Sequence, residues 1–541
     1  MKKRSVISTM LAALMLAASL TGCAESNEST PTNAPALKSG QIALETGNNV
    51  YYNFRYETEA AADMDGYGMS FVQTPGEAPD WDTEEYDYQK ENGFQSVAAN
   101  PFATFAADVD TASYSNFRRQ IRNAETVRPD SVRVEEFLNY FRYDYPEPQG
   151  DEPFGVSLEL AACPWNEKTQ LLSIGLQAQK LNADELPRSN LVFLIDVSGS
   201  MDQANKLPLV QRSFLTLLET LDQNDRVSIV TYSAGERVVL EGVNAGEQQK
   251  IAAAIEGLEA AGCTQGDKAI QLAYEIAERY MIDGGINRVI MATDGDFNVG
   301  VTSESELTRL VQEEAKKGVF LSVLGYGMGN YKDDKLESMA DNGNGNYAYI
   351  DSIDEARRVL VNEAGGTLFT VAKDVKLQVE FNPAVVKGYR LIGYENRVMS
   401  ASDFADDSKD GGEIGAGHQV TALFEIVPAD SDFEIPEVDS RYSKPESSGT
   451  EFADEIGTLN IRYKAPEGTE SSLKSYPITK SAAREQMSDN LRWAAGVAEA
   501  AMLLKGSEYK GSATYESARA LLRAAASDDF RTEFLELLAG Q

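Results

Sequence analysis

The feature that most narrows the folding options is a change of texture in the middle of the chain. Between about residues 188 and 365, four short apolar runs ("LVFLID", "VSIVTYS", "RVIMATD", "FLSVLGYG") alternate with amphipathic segments at 206–221, 248–260, 268–280 and 304–317. In the first of these segments Leu207, Val210, Phe214, Leu217, Leu218 and Leu221 recur at three- and four-residue steps, which sets them on one helix face. Strands that are apolar along their whole length need cover on both faces, and intervening helices supply it. The expectation is an α/β domain with an open, doubly wound, mostly parallel, Rossmann-like sheet.

On both sides of that region the period drops to two. Val156, Leu158 and Leu160 alternate with Ser157 and Glu159; Val375, Leu377, Val379 and Phe381 alternate with Lys376, Gln378 and Glu380. Leu459, Ile461 and Tyr463 repeat the pattern, and "HQVTALFEIV" (418–427) is a further strand candidate. Such strands keep one face wet, so they are expected to build a β-sandwich into which the α/β domain is inserted. "VRVEEFLNYFRYDYP" (132–146) reads as a helix stopped near Pro146, and the last stretch, from "SDNLRWAAGVAEAAMLLKG" on, as a helical packing cap. The acidic stretches 401–412 and 430–456 read as surface loops. The resulting division is a signal at 1–22, an acidic tether at 23–95, an N-terminal segment ending in sandwich strands at 96–187, the α/β domain at 188–365, the sandwich at 366–475 and a C-terminal helical segment at 476–541.

The first residues carry an export signal: Lys2, Lys3 and Arg4, an apolar run over Val6–Leu20, then Leu20-Thr21-Gly22-Cys23. That last quartet resembles the bacterial lipobox, which implies acylation of Cys23 and anchorage to a membrane, with the domains on its extracytoplasmic side. Residues 24 to about 95 are polar and aperiodic and read as a tether. Within them "DWDTEEYDYQKENGF" (80–94) reads as a solvated spacer, with a docking peptide as the alternative. With 85 acidic against 49 basic residues, the net charge of −36 excludes nucleic acid as a partner. Apart from Cys23, only Cys163 and Cys263 are present, and their pairing is open. The one histidine, His418, rules out a multi-histidine zinc site and is expected to be structural.

The chemistry converges on one oxygen-rich cluster. The run "NLVFLIDVSGSM" ends in Asp196, with Ser198 and Ser200 at two-residue steps. "GCTQGDKAI" (262–270) brings Thr264, and "VIMATDGDFNVG" (289–300) brings Asp294 at another strand end. In an open α/β sheet, ligands bind beyond the carboxyl ends of the strands where the strand order reverses. Two carboxylates and three hydroxyls are hard donors suited to Mg²⁺ or Mn²⁺, and unsuited to zinc or copper. The competing explanation is that the hydroxyls cap helices.

These residues resemble the metal-ion-dependent adhesion site of von Willebrand factor type A domains. The resemblance implies that Ser198, Ser200 and Thr264 bind a divalent ion (Mg²⁺, or Mn²⁺ or Ca²⁺) directly. It implies that Asp196 and Asp294 act largely through water, and that a carboxylate from a protein partner completes the octahedron. Further stretches, among them "DVDTASYSNFRR" and "LGYGMGNYKDDKLE", are similar to a bacterial subfamily of envelope lipoproteins with such a domain. The Asp267-Lys268 pair departs from the small residues usual in the threonine loop, and Cys263, directly before Thr264, would alter the site if oxidised.

The functional expectation is a lipid-anchored, monomeric envelope protein that binds a protein ligand through metal, for adhesion or assembly. The alternatives are a metal-dependent hydrolase, for which only Asp267, Asp296 or Lys268 stand near as bases, and a structural component with a stabilising metal. "FAADVDTAS" (105–113) imitates the Asp-x-Asp of phosphatases, but no βαβ series surrounds it; Asp110 or Thr111 is expected to cap the helix at 113–123.

Overall fold

The computed structural model describes residue 84 and residues 86–541, except 151, 182–186, 264–265, 296–303, 329–331, 410, 436–451, 453 and 467. Cys23, Thr264 and Asp296 lie outside the described residues.

Four strands precede the α/β domain: β1 (Gln95–Ser96), β2 (Phe102–Ala106), β3 (Phe154–Ala162) and β4 (Gln170–Ala178). The domain contributes β5 (Ser189–Asp196), β6 (Arg226–Tyr232), β7 (Glu236–Asn244), β8 (Ile286–Thr293), β9 (Val319–Tyr326) and β10 (Tyr347–Ile350). After it come β11 (Thr370–Phe381), β12 (Val386–Ile392), β13 (Val398–Met399), β14 (Gly412–Gly415), β15 (Gln419–Pro428), β16 (Glu455–Lys464) and β17 (Ser471–Thr479).

The outer strands form two antiparallel sheets, ordered β1-β12-β15-β4-β3 and β13-β2-β11-β16-β17, with β14 paired to β11. Strands from either side of the inserted domain are neighbours: β4 pairs with β15, and β2 with β11. Their inward residues, including Phe105, Leu172, Ile174, Leu377, Val379, Phe424 and Leu459, meet in one apolar core. That is the expected sandwich.

The inserted sheet runs β10-β9-β8-β5-β6-β7 and is parallel except for β7. Every residue of β5 is buried, which explains its unbroken apolar run. The N-terminal segment supplies helices α1 (Ala112–Arg122) and α2 (Val134–Tyr140). Within the domain, α3 (Leu207–Leu218) and α4 (Gln248–Glu256) pack on one face of the sheet. Helices α5 (Asp267–Arg279), α6 (Glu304–Lys317) and α7 (Asp333–Asn342) pack on the other. The domain ends in α8 (Ile353–Arg357), a π-helical turn at Arg358–Asn362, and α9 (Ala364–Leu368).

Several expectations change. The helix expected over 132–146 stops at Tyr140, because Phe141 turns extended (ψ 150°). Phe141, Tyr143 and Tyr145 then enter an aromatic core at two-residue spacing, so burial overrides local helix propensity. The C-terminal helices α10 (Asp489–Lys505), α11 (Tyr515–Ala525) and α12 (Asp529–Leu537) are more than a cap. Alanine-rich α10 is buried around most of its circumference and shares a core with α1 and α2, where Trp493 and Phe534 meet Phe137 and Phe141. Residues 86–94, expected within the tether, lie on the body: Asn92 donates to the Gly393 carbonyl at 2.8 Å, and the Phe94 ring sits 4.7 Å from that of Phe433. Cys163 is buried and Cys263 exposed, and both thiols are free.

Candidate metal centre

Asp196 closes β5 and Asp294 directly follows β8, and these two strands are adjacent. The strand order reverses between them, with β6 and β7 to one side and β9 and β10 to the other. The carboxyl ends of β5 and β8 therefore flank the crevice where open α/β sheets take ligands.

The loop after β5 is shaped by its own oxygens. Asp196 Oδ1 accepts the Ser198 amide at 2.8 Å, an Asx turn that reverses the chain. The hydroxyl oxygens of Ser198 and Ser200 then stand 3.0 Å apart. The next loop is stitched alongside: the Gly199 amide donates to the Gly262 carbonyl at 3.0 Å, and Ala261 donates to Val197 at 2.8 Å. Gly262 holds φ at +85°, a conformation glycine adopts without penalty, and Thr264 follows two residues later in the sequence.

The capping explanation fails for both serines. Ser198 precedes the short turn Gly199–Asp202 without a side-chain capping bond, and the N-cap of α3 is Lys206, not a serine. The hydroxyls are thus available for another task. Asp196 is fully buried, and among the described residues its Oδ2 makes no hydrogen bond of good geometry, although the Ser198 hydroxyl and the Tyr232 phenol stand near enough to hold its pKa down. Burial pushes its carboxyl up to about 7, the Ser198 amide opposes the shift, and the neighbouring Asp294 charge adds to it. A hard divalent cation fits this set: a buried carboxylate oxygen without a well-formed hydrogen bond, two paired hydroxyls and a second buried carboxylate.

Sequence reasoning missed Lys206. Its ammonium lies 2.9 Å from Asp294 Oδ2, and both side chains are almost wholly buried. The signal that could have exposed it is electrostatic: Lys206 is the N-cap of α3, where the helix dipole disfavours a cation. Its backbone carbonyl accepts from Leu209 and Val210, while its side chain leaves the helix axis for Asp294.

Other singled-out residues lie elsewhere. His418 enters β15 beside Gly366 of α9; burial drops its pKa to about 4 and keeps the ring neutral. Lys268 is exposed on α5. Neither Asp110 nor Thr111 caps α1, since the Ser113 amide is taken by Glu136 at 2.8 Å. Instead Asp110 accepts the Tyr347 amide of β10 at 3.0 Å, and Thr111 accepts Arg358 at 2.7 Å. The Asp-x-Asp stretch is a joint between segments.

Comparison with known proteins agrees with this architecture. Residues 190–360 match the von Willebrand factor type A domain family, and residues 366–541 match the family described as "Uncharacterized protein YfbK, C-terminal". Residues 80–173 match a family described as "von Willebrand factor". "Uncharacterized protein YfbK" of Escherichia coli (strain K12) is 40% identical over 467 residues, which cover 84% of this chain and 80% of that protein. "Uncharacterized protein sll0103" of Synechocystis is 29% identical over 185 residues, 34% of this chain and 43% of that protein. The solved "von Willebrand factor type A from Catenulispora acidiphila" aligns over 74% of this chain and 91% of its own at 16% identity, with a TM-score of 0.43. From the first relative's identity and coverage, the chain belongs to the YfbK family, which joins a von Willebrand factor type A domain to a YfbK-type C-terminal region.

Proposed function

We propose that this protein is a lipid-anchored receptor of the cell envelope that captures a protein ligand by its carboxylate. Capture would use a divalent ion held by Asp196, Ser198, Ser200, Thr264 and Asp294. The observation that carries this reading is the buried Oδ2 of Asp196, without a well-formed hydrogen bond, beside two hydroxyls that cap nothing, at the point where the strand order reverses.

When bound, the ion supplies positive charge to an incoming anionic oxygen. The serine hydroxyls and Thr264 would ligate it, and the two aspartates would hold its water. Because hydroxyls are neutral, this donor set leaves charge on the ion for an outside ligand, whereas a purely structural centre closes on its own carboxylates or thiolates. Asp196 also fixes the serine loop through the Ser198 amide, so one residue both shapes and charges the site. The export signal and Leu20-Thr21-Gly22-Cys23 support anchorage through Cys23 and exposure of the domains outside the cytoplasm.

The test is capture by the immobilised full chain from envelope extract, with Mg²⁺, with chelator, and as Thr264→Ala. A protein retained only by metal-loaded wild type is the expected result. Equal retention in all three arms, or retention in none, demotes the centre to a structural role.

A further inference from the structure

Lys206 is built into the centre with more care than a chance ion pair requires. It is the N-cap residue of α3, and its ammonium ends 2.9 Å from Asp294 Oδ2. The stem lies against Gly327, just beyond β9, in a channel only glycine leaves open: a Cβ there would stand 2.4 Å from Lys206 Cε and 2.6 Å from Cγ. Gly327 holds φ at +78°, and its carbonyl accepts the phenol of Tyr349 in β10, which fixes that wall of the channel. Three elements distant in sequence thus converge to hold one ammonium at the end of β8.

We propose that Lys206 is a specificity-determining residue of the metal face, a resident second cation that restricts the loaded centre to ligands offering an anionic oxygen. The inference rests on the metal-binding reading above. A divalent ion and two ionised aspartates balance one another in formal charge, so without a further cation only the local field of the ion favours an anionic oxygen over a neutral one. With Lys206 the loaded centre carries one net positive charge in a place shielded from water, where Coulomb interactions are strong. A carboxylate neutralises that charge; an amide or hydroxyl does not. The same ammonium repels the metal, so the gain in ligand selectivity comes with weaker metal affinity.

The experiment uses the full chain with Mn²⁺ as probe, followed by electron paramagnetic resonance and calorimetry, with acetate and acetamide as model ligands. Lys206→Gln keeps a hydrogen-bonding group without the charge, and Lys206→Arg keeps the charge. Lys206→Gln is expected to bind Mn²⁺ roughly tenfold tighter and to take up acetate several-fold more weakly, with Lys206→Arg close to wild type. Mn²⁺ affinity in Lys206→Gln that is unchanged or weaker, with native circular dichroism, overturns the proposal. A measurement on wild type alone stands if the variants do not fold: Mn²⁺-loaded protein is expected to prefer acetate to acetamide, and equal binding overturns the proposal. If wild type binds no Mn²⁺, the metal reading itself falls, and Lys206 with it. If wild type binds Mn²⁺ and the variants match it, only the role of Lys206 falls.

Discussion

Arg118 of α1 places its guanidinium 2.8 Å from Glu355 of α8, so the N-terminal segment grips the last helical stretch of the inserted domain. The same guanidinium lies 2.5 Å from Asp351, and Tyr140 donates to Glu355 at 2.9 Å. Burial alone would raise the Glu355 pKa, but Arg358 and Arg118 outweigh it and hold the carboxyl down at about 2. Glu355→Ala removes the carboxylate that two buried cations share, leaving Arg118 to Asp351 and Arg358 to Glu363, and is expected to cost about 2–3 kcal/mol of stability. Urea unfolding of the variant measures this, and a loss below about 1 kcal/mol would refute the clamp.

The centre at the ends of β5 and β8 makes a calorimetric prediction. An ion that binds only the folded state stabilises it by about 2.7 kcal/mol at a hundred times its Kd. Saturating Mg²⁺ is therefore expected to raise the wild-type Tm by several degrees. Asp196→Ala and Ser198→Ala should unfold at the same temperature with and without Mg²⁺. A Tm rise that persists in both variants would place the ion elsewhere.

Stability should fall with rising pH between about 6.5 and 8. Burial, with neighbouring carboxylates, pushes Glu135 to about 7; it also lifts Glu136 to about 8 against the pull of Arg133. Between the ordinary carboxylate pKa and these values the folded state binds more protons than the unfolded state, so raising the pH favours unfolding. His418 works in the opposite direction: its pKa falls to about 4, so its contribution to stability is lost as pH drops from 6.5 toward 4, outside this window. The slope is expected to reach about 1 kcal/mol per pH unit. Glu136→Gln should flatten it, and a wild-type profile rising over this range would contradict the assignment.

Gly366 and His418 form a contact that tolerates no addition. A Cβ at Gly366 would sit 2.0 Å from His418 Cδ2 and Nε2. Gly366→Ala is expected to lose about 1–3 kcal/mol through overpacking between α9 and the sandwich. Pairing it with His418→Ala should recover most of the loss. Additive losses in that double-mutant cycle would rule out the contact as the cause.

Much of this architecture was legible because the period of the apolar residues changes with the fold. Continuous runs such as 191–195 require two covered faces, while the alternation at 375–381 requires one, and those two patterns alone place an α/β sheet inside a sandwich. Asp196, Ser198, Ser200 and Asp294 were readable because they fall at strand ends, where a side chain's position follows from the strand's. Lys206 was not, since its direction depends on Gly327 and Tyr349, more than a hundred positions away. The overrun of α2 has a similar origin: nothing local in "FRYDY" forbids helix, and only the aromatic core supplied by Trp493 and Phe534 draws it extended. Residues 86–94 were misplaced because contacts such as Asn92 with Gly393 span some three hundred positions.

The pairing of β4 with β15 also sets an order of synthesis. Gln177 and Gln419, neighbours across that pairing, are 242 positions apart, and all of β5–β10 lies between them. At ordinary elongation rates β4 waits roughly ten to fifty seconds with that edge uncovered. The inserted domain has every strand it needs in hand well before then. The nascent chain therefore completes its interior module first and its outer shell last, and during that interval it carries an open strand edge that a neighbouring nascent chain can pair with.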